Sequence, residues 1–162
     1  MAGNCVFQLS PTKPEDDGYV TSEYLINEGF VTNVASYVYE PNTDADRLEC
    51  IKSFVEELDN KTHCITFNEK EGYIMFKSGF KYEYFYPKYN LFNDIVSKIG
   101  IDDFIHDSNS LLSALQKSIE ETFDVPYIVC EDCGPESLDY FIRNRMKLNT
   151  RYYVVSVVNY HI

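Results

Sequence analysis

The chain has 162 residues, 44 % hydrophobic and 15 % aromatic, which is enough apolar surface for one packed core and excludes a disordered chain. Its 26 acidic and 14 basic side chains give a formal net charge of −12. That balance argues against direct binding to a nucleic-acid backbone, which needs a basic footprint.

No apolar run approaches the roughly 18 residues of a membrane span. No charged stretch followed by an apolar one opens the given sequence, and Gly3 rather than position 2 carries the first glycine, so neither a secretory nor a myristoylation signal is expected. The expected compartment is the cytoplasm, that of the host if the chain is viral, with its five cysteines reduced. The sequon Asn60-Lys61-Thr62 is then without meaning. Trp is absent while Tyr and Phe number 14 and 11, so Phe, Tyr, Ile, Leu and Val are expected to fill the core. Abundant Tyr, Asn, Lys, Ile and Phe with scarce Ala fit an AT-rich genome, as in many phages, viruses and low-GC bacteria.

In chain order, Asn4 to Leu9 reads as a first strand. Ser10 to Gly18, with two prolines and the acids Glu15, Asp16 and Asp17, reads as a flexible loop. Thr21 to Glu28 opens a short helix that Gly29 stops. Phe30 to Glu40, rich in Val and Tyr, reads as a strand that Pro41-Asn42-Thr43 breaks. Thr43 then caps a helix from Asp44 to Asp59, with Asp46 at capping-box spacing and Asp44 and Asp46 in the first turn. Leu48, Ile51, Phe54, Val55 and Leu58 would face the core, and Glu49, Lys52, Glu56 and Glu57 the solvent.

Thr62 to Tyr86 reads as a three-stranded antiparallel meander packed on that helix. Its turns are Asn68 to Gly72 and Ser78-Gly79. In its last strand Phe80, Tyr82, Tyr84 and Tyr86 alternate with Lys81, Glu83 and Phe85. After Pro87 the period becomes helical from Asn90 to Lys98, with Gly100 as the stop. Ile101 to Ile105 is a connector. Ser108 or Asn109 caps a helix to about Phe123, with a stripe of Leu111, Leu112, Leu115, Ile119 and Phe123. Pro126 to Cys130 is a short buried strand. Gly134-Pro135 starts a last helix to about Lys147, burying Leu138, Phe141, Ile142 and Met146. Arg151 to Tyr160 is the last strand, and its Val154-Val155 and Val157-Val158 pairs place apolar groups on both faces, as in a central strand. The sum predicts one α+β domain over residues 1–162: a largely antiparallel sheet of five or six strands with three or four helices packed on it.

Chemical motifs are sparse. Cys130-Glu131-Asp132-Cys133 is a CxxC between a strand and a helix, the setting of a redox pair, but its two inner carboxylates raise thiol pKa values and oppose thiolate formation. Zinc needs four ligands, and pairing the CxxC with the adjacent His63 and Cys64 is awkward, so a reduced, metal-free pair is expected. His63 reads as a strand residue pointing away from Cys64. His106, beside Asp107, reads as a solvated loop histidine, and a Cys64 or Cys130 nucleophile with His106 has no supporting motif. No phosphate loop, HExxH or GxSxG is present. Arg143, Arg145, Lys147 and Arg151 form a basic cluster that either meets an anion or pairs with the chain's own acids.

These features point to an interaction protein rather than an enzyme, with no cofactor. Residues 135–162 carry four basic and two acidic side chains, net +2, leaving ten and twenty-four, net −14, in residues 1–134. The expected partner is a larger protein with a basic surface, above all a nuclease or other nucleic-acid-binding defence protein, inhibited by a phage-encoded nucleic-acid mimic. The alternatives are a bacterial immunity protein against a toxin nuclease, and an enzyme with an unrecognised site around Cys130 and His106. The expected contact set is Glu56, Glu57 and Asp59 at one helix end with Asp102, Asp103 and Asp107 on the connector.

Overall fold

The computed structural model describes residues 4–13, 18–106, 110–119, 126–130 and 133–162. In chain order these form β1 (Cys5–Ser10), α1 (Ser22–Asn27), α2 (Phe30–Asn33), β2 (Tyr37–Tyr39), α3 (Asp44–Thr62), β3 (Ile65–Asn68) and β4 (Tyr73–Phe76). There follow α4 (Phe80–Lys98), α5 (Ile101–Ile105), α6 (Ser110–Ile119), β5 (Tyr127–Cys130), β6 (Glu136–Ser137), α7 (Leu138–Asn144) and β7 (Arg151–His161). The α+β class expected from the sequence holds, with more elements: seven helices and a seven-stranded mixed sheet among the described residues.

The sheet runs β3-β4-β7-β1-β5-β6, and β2 also pairs with β7. One pairing, β1 with β5, is parallel, and the other five are antiparallel. β7 is the central strand its valine pairs indicate. β1 runs along one of its edges, while β4 takes Arg151 to Tyr153 and β2 takes Asn159 to His161 on the other. A register shift between Gln8 and Leu9 lets Val154 and Val157 face the same side.

Helices cover both faces. On one, Phe7, Leu9, Ile74, Phe76, Tyr152, Val154 and Val157 pack under Phe54 and Leu58 of α3, Phe80 and Tyr84 of α4, and Phe141 and Ile142 of α7. Phe7 and Phe54 stack at 4.4 Å between β1 and α3. On the other face Val6, Val129, Val158 and Tyr160 meet Leu25 of α1 and Phe30 of α2.

α3 forms where its cap predicts. The Asp46 N–H donates to Thr43 Oγ1 at 3.1 Å and the Thr43 N–H to Asp46 Oδ2 at 3.1 Å. It runs on to Thr62 and ends where His63 takes a left-handed φ of 52°. His63 is therefore a helix cap, not a strand residue.

The hairpin β3–β4 packs with α3 as expected, but the third strand of the meander is not a strand. Phe80 to Tyr86 is the first half of α4. Gly79, at φ 93°, turns the chain out of the sheet. Residues 80, 82, 84 and 86 alternate, yet every second member of that series also lies four residues on, which is one helix turn. Phe80 and Tyr84 form the buried pair, stacked at 5.8 Å, and Tyr82 and Tyr86 an exposed pair at 5.0 Å. Pro87 sits inside this helix, where it removes one backbone donor; burial of Phe80 and Tyr84 before it and Ile95 after it holds the two halves in one element.

Three smaller expectations also change. Phe30 to Glu40 is not one strand: Gly29, at φ 75°, starts the short helix α2, whose Phe30 ring packs edge-on to Tyr127 and Tyr160, and only Tyr37–Tyr39 pair as β2. The connector Ile101 to Ile105 closes into the one-turn α5. The last helix starts at Leu138 rather than Gly134-Pro135, because Glu136–Ser137 pair with β5 and Ser137 Oγ caps the Tyr140 N–H at 3.3 Å. Helix α6 is present, but Ser108, Asn109 and Phe123 lie outside the described residues. So does the middle of the expected flexible loop; of its described part, Gly18 O accepts a bond of 2.7 Å from Gln8 Nε2. Among the described residues no helix is long and apolar enough to cross a membrane.

Phe54 is 1 % exposed, whereas Leu48 on the same helix is half-buried. Phe54→Ala should therefore cost about 3–5 kcal/mol in denaturant unfolding. Leu48→Ala should cost clearly less. Equal losses would contradict the packing of α3.

Candidate interaction surface

α4 carries two different faces. Inward, the Tyr84 hydroxyl donates to Asp139 Oδ1 at 2.7 Å, and Lys88 Nζ donates to Asp139 Oδ1 and Oδ2 at 2.7 and 2.6 Å. Asp139 lies in the first turn of α7, where the helix dipole favours a carboxylate, and is 7 % exposed. Arg143 reaches it at 3.9 Å. A buried carboxylate is costly unless it is paired and hydrogen-bonded, and this one is both. The Lys88 ammonium also lies 4.7 Å from the centre of the Tyr84 ring. Burial, and then the bond to Asp139 and its charge, push the Tyr84 hydroxyl pKa up, so it stays a neutral donor. The three side chains clasp α4 to α7.

Beside the clasp, α3 and α4 enclose a cavity of about 440 Å³. Phe54, Leu58, Pro87, Pro126 and Leu138 make its apolar walls, with Glu57 and Lys61 of α3 and Glu83 and Lys88 of α4 among its lining. Glu57 pairs with Lys61 at 2.9 Å, one turn apart. Glu83 makes no side-chain hydrogen bond or ion pair among the described residues.

Outward, Tyr82, Tyr86 and Tyr89 form a row at helical spacing and are 62 %, 44 % and 60 % exposed. Phe85 lies beside them, with the Arg143 guanidinium 4.8 Å from its ring centre. Neither Glu83 nor this row is legible while residues 80–86 are read as a strand. The signal was the spacing itself, 80/84/88 for one face and 82/86/89 for the other.

The described members of the expected contact carboxylates fall into three groups. Glu56 and Asp102 are exposed on α3 and α5. Glu57 lines the cavity opposite α4. Asp59 and Asp103 have local structural work: Asp59 Oδ1 accepts the Ile65 N–H at 3.0 Å, tying α3 to β3, and Asp103 Oδ2 accepts the Gly100 N–H at 2.6 Å, closing the start of α5. Asp107 lies outside the described residues.

The remaining chemical candidates stay apart from this surface or are incomplete. Cys130 ends β5, and the Cys133 N–H donates to its carbonyl at 3.3 Å; Glu131 and Asp132 lie outside the described residues. The helix expected directly after the CxxC begins only at Leu138, so its N-terminus is not at Cys133. His106 is exposed at the end of α5, and His161 stacks on Tyr37 at 5.2 Å. Among the described residues no group of three His, Cys, Asp or Glu is arranged to hold a metal ion. No disulfide links the five cysteines, all of which lie within the described residues. The basic cluster pairs with the chain's own acids at each arginine: Arg143 with Asp139, Arg145 with Glu136 at 3.1 Å and Arg151 with Glu71 at 3.6 Å. No family model, curated protein or solved structure matches the chain.

Two measurements check this description. Tyr84→Phe deletes a buried bond to a charged group and should cost about 1.5–3 kcal/mol near neutral pH. Because the folded hydroxyl has the higher pKa, its contribution is complete below the ordinary tyrosine value of 10.0 and is lost as pH rises beyond it. The stability gap between the native chain and Tyr84→Phe should accordingly narrow above that pH; a constant gap would contradict the clasp. Among the thiols, Cys5 is 1 % exposed and donates to Asn159 Oδ1 at 3.1 Å, and burial, then Cys50, push its pKa up. Cys5 should resist iodoacetamide in the folded protein while half-buried Cys64 and Cys133 react. Modification of Cys5 at their rate would contradict the packing of β1.

Proposed function

We propose that this protein works by binding a larger protein through a basic surface of that partner, and so inhibits it. The best-fitting partner is a nuclease or other nucleic-acid-binding protein whose groove the carboxylates occupy in place of phosphates. A phage inhibitor of a host defence nuclease and an immunity protein against a toxin nuclease make the same physical demand: rigidly held acids and no chemistry of their own.

One observation carries the reading. On a chain of net charge −12, Glu56 and Asp102 stand exposed and without ion-pair partners among the described residues, while an exposed tyrosine row runs along the neighbouring helix α4. Tyrosine is enriched at protein interfaces because it brings large contact area at low entropic cost. The acidic field would speed encounter with a basic partner and make binding weaken with salt. Glu57, paired with Lys61, lies at the cavity wall facing α4.

Glu56→Lys with Asp102→Lys tests this without touching a structural bond. A partner captured by the native protein should be released by high salt, should lose its nucleic-acid binding in the complex, and should bind the double variant at least about tenfold more weakly. Undiminished affinity of a folded double variant across a salt series would overturn the reading and leave the charge as a solubility feature.

A further inference from the structure

We infer that the cavity between α3 and α4 is the anchor pocket for one arginine side chain of the partner protein, an inference that rests on the reading above. Its walls suit an alkyl stem: Phe54, Leu58, Pro87 and Leu138 are apolar. Its volume of about 440 Å³ lies within the range of roughly 300–1,000 Å³ typical of ligand pockets.

Charge selects the occupant. Of the four charged groups in the lining, Lys61 is taken by Glu57, and Lys88 is held by Asp139 outside the lining, so the exposed Glu83 carboxylate has no ion-pair partner among the described residues. An anion would meet that carboxylate, and an apolar plug would desolvate it unpaired, which is costly. A cation supplies what is missing. Arginine fits better than lysine here. A guanidinium is more weakly hydrated than an ammonium, and its planar fork can address both oxygens of the Glu83 carboxylate. The pocket is also preformed, since the Tyr84–Lys88–Asp139 clasp fixes α4 against α7 on its inner side. Preorganisation lowers the entropic cost of binding. Tyr86 follows Glu83 by three residues on α4, so a partner segment inserting its arginine would continue over the exposed tyrosines.

The test titrates the full-length, isotope-labelled chain with acetylated, amidated Ala-Ala-Arg-Ala-Ala, followed by amide NMR. Matched peptides carry lysine or the neutral isostere citrulline. Free arginine is a fourth arm. Shifts should concentrate at Glu57, Leu58, Lys61, Glu83 and Lys88. Affinity should fall about tenfold or more with citrulline, and by a similar factor for Glu83→Gln, whose thermal unfolding reports that it is folded. Equal binding of the citrulline peptide, unchanged affinity of Glu83→Gln, or shifts centred elsewhere would overturn the inference. Tighter binding of free arginine than of the peptide would assign the cavity to a small metabolite and overturn it too. Failure here is separable from failure of the broader reading, because Glu56 and Asp102 lie outside the cavity lining. A partner that ignores Glu83→Gln yet leaves the Glu56→Lys, Asp102→Lys variant refutes the pocket alone.

Discussion

The rest of the structure depends on one constraint: β7 is buried on both sides. Val154 and Val157 face the core beneath α3, α4 and α7, while Val158 and Tyr160 face α1 and α2. A strand of this composition cannot lie at a solvated edge or under a single layer. It recruits β1 along one edge and both β4 and β2 along the other, and it obliges helices to cover both faces of the sheet. With apolar groups drawn inward from both directions, helix acids such as Glu49, Glu56 and Asp102 are left exposed on a chain of net charge −12.

Where the inward side of a helix does carry polar groups, they are compensated. Tyr84 and Lys88 converge on Asp139 rather than facing the cavity alone, and no described buried side-chain nitrogen or oxygen is left without a hydrogen-bond partner. The clasp has a consequence for the proposed binding role. It makes the α4 surface rigid from within, so that the outward tyrosines and Glu83 are presented by an element that has little freedom to move. Rigid presentation is what a protein acting by shape and charge requires.

The α+β class was legible because several elements carry redundant local signals. Thr43 and Asp46 announce α3 by a capping box that forms in both directions, and the valine pairs of β7 indicate its central position. The misreading at Phe80 to Tyr86 has a specific cause. Aromatic residues at every second position satisfy the strand period, and pairs four apart satisfy the helix period equally well. What decides is which neighbours need cover, a tertiary fact: Phe76 and Phe141 offer an apolar seat for Phe80, and the turn at Gly79 delivers it there. The candidate site suffered from the same ambiguity. Glu56, Glu57 and Asp102 were expected from charge alone, but Glu83 and the tyrosine row emerge only once α4 is a helix. Asp59 and Asp103 show the converse limit, since composition cannot distinguish a carboxylate that waits for a partner from one that already accepts a backbone N–H.

The proposed contact set lies on α3, α4 and α5. Hydrogen–deuterium exchange of the protein alone and in complex with its captured partner tests it most directly. Added protection is expected in the second half of α3, from Phe54 to Thr62, in the first half of α4, from Phe80 to Tyr89, and in α5, with α1, α2 and β2 unchanged. Protection confined to α1, α2 and β2, with α3 and α4 exchanging as in the protein alone, would contradict it.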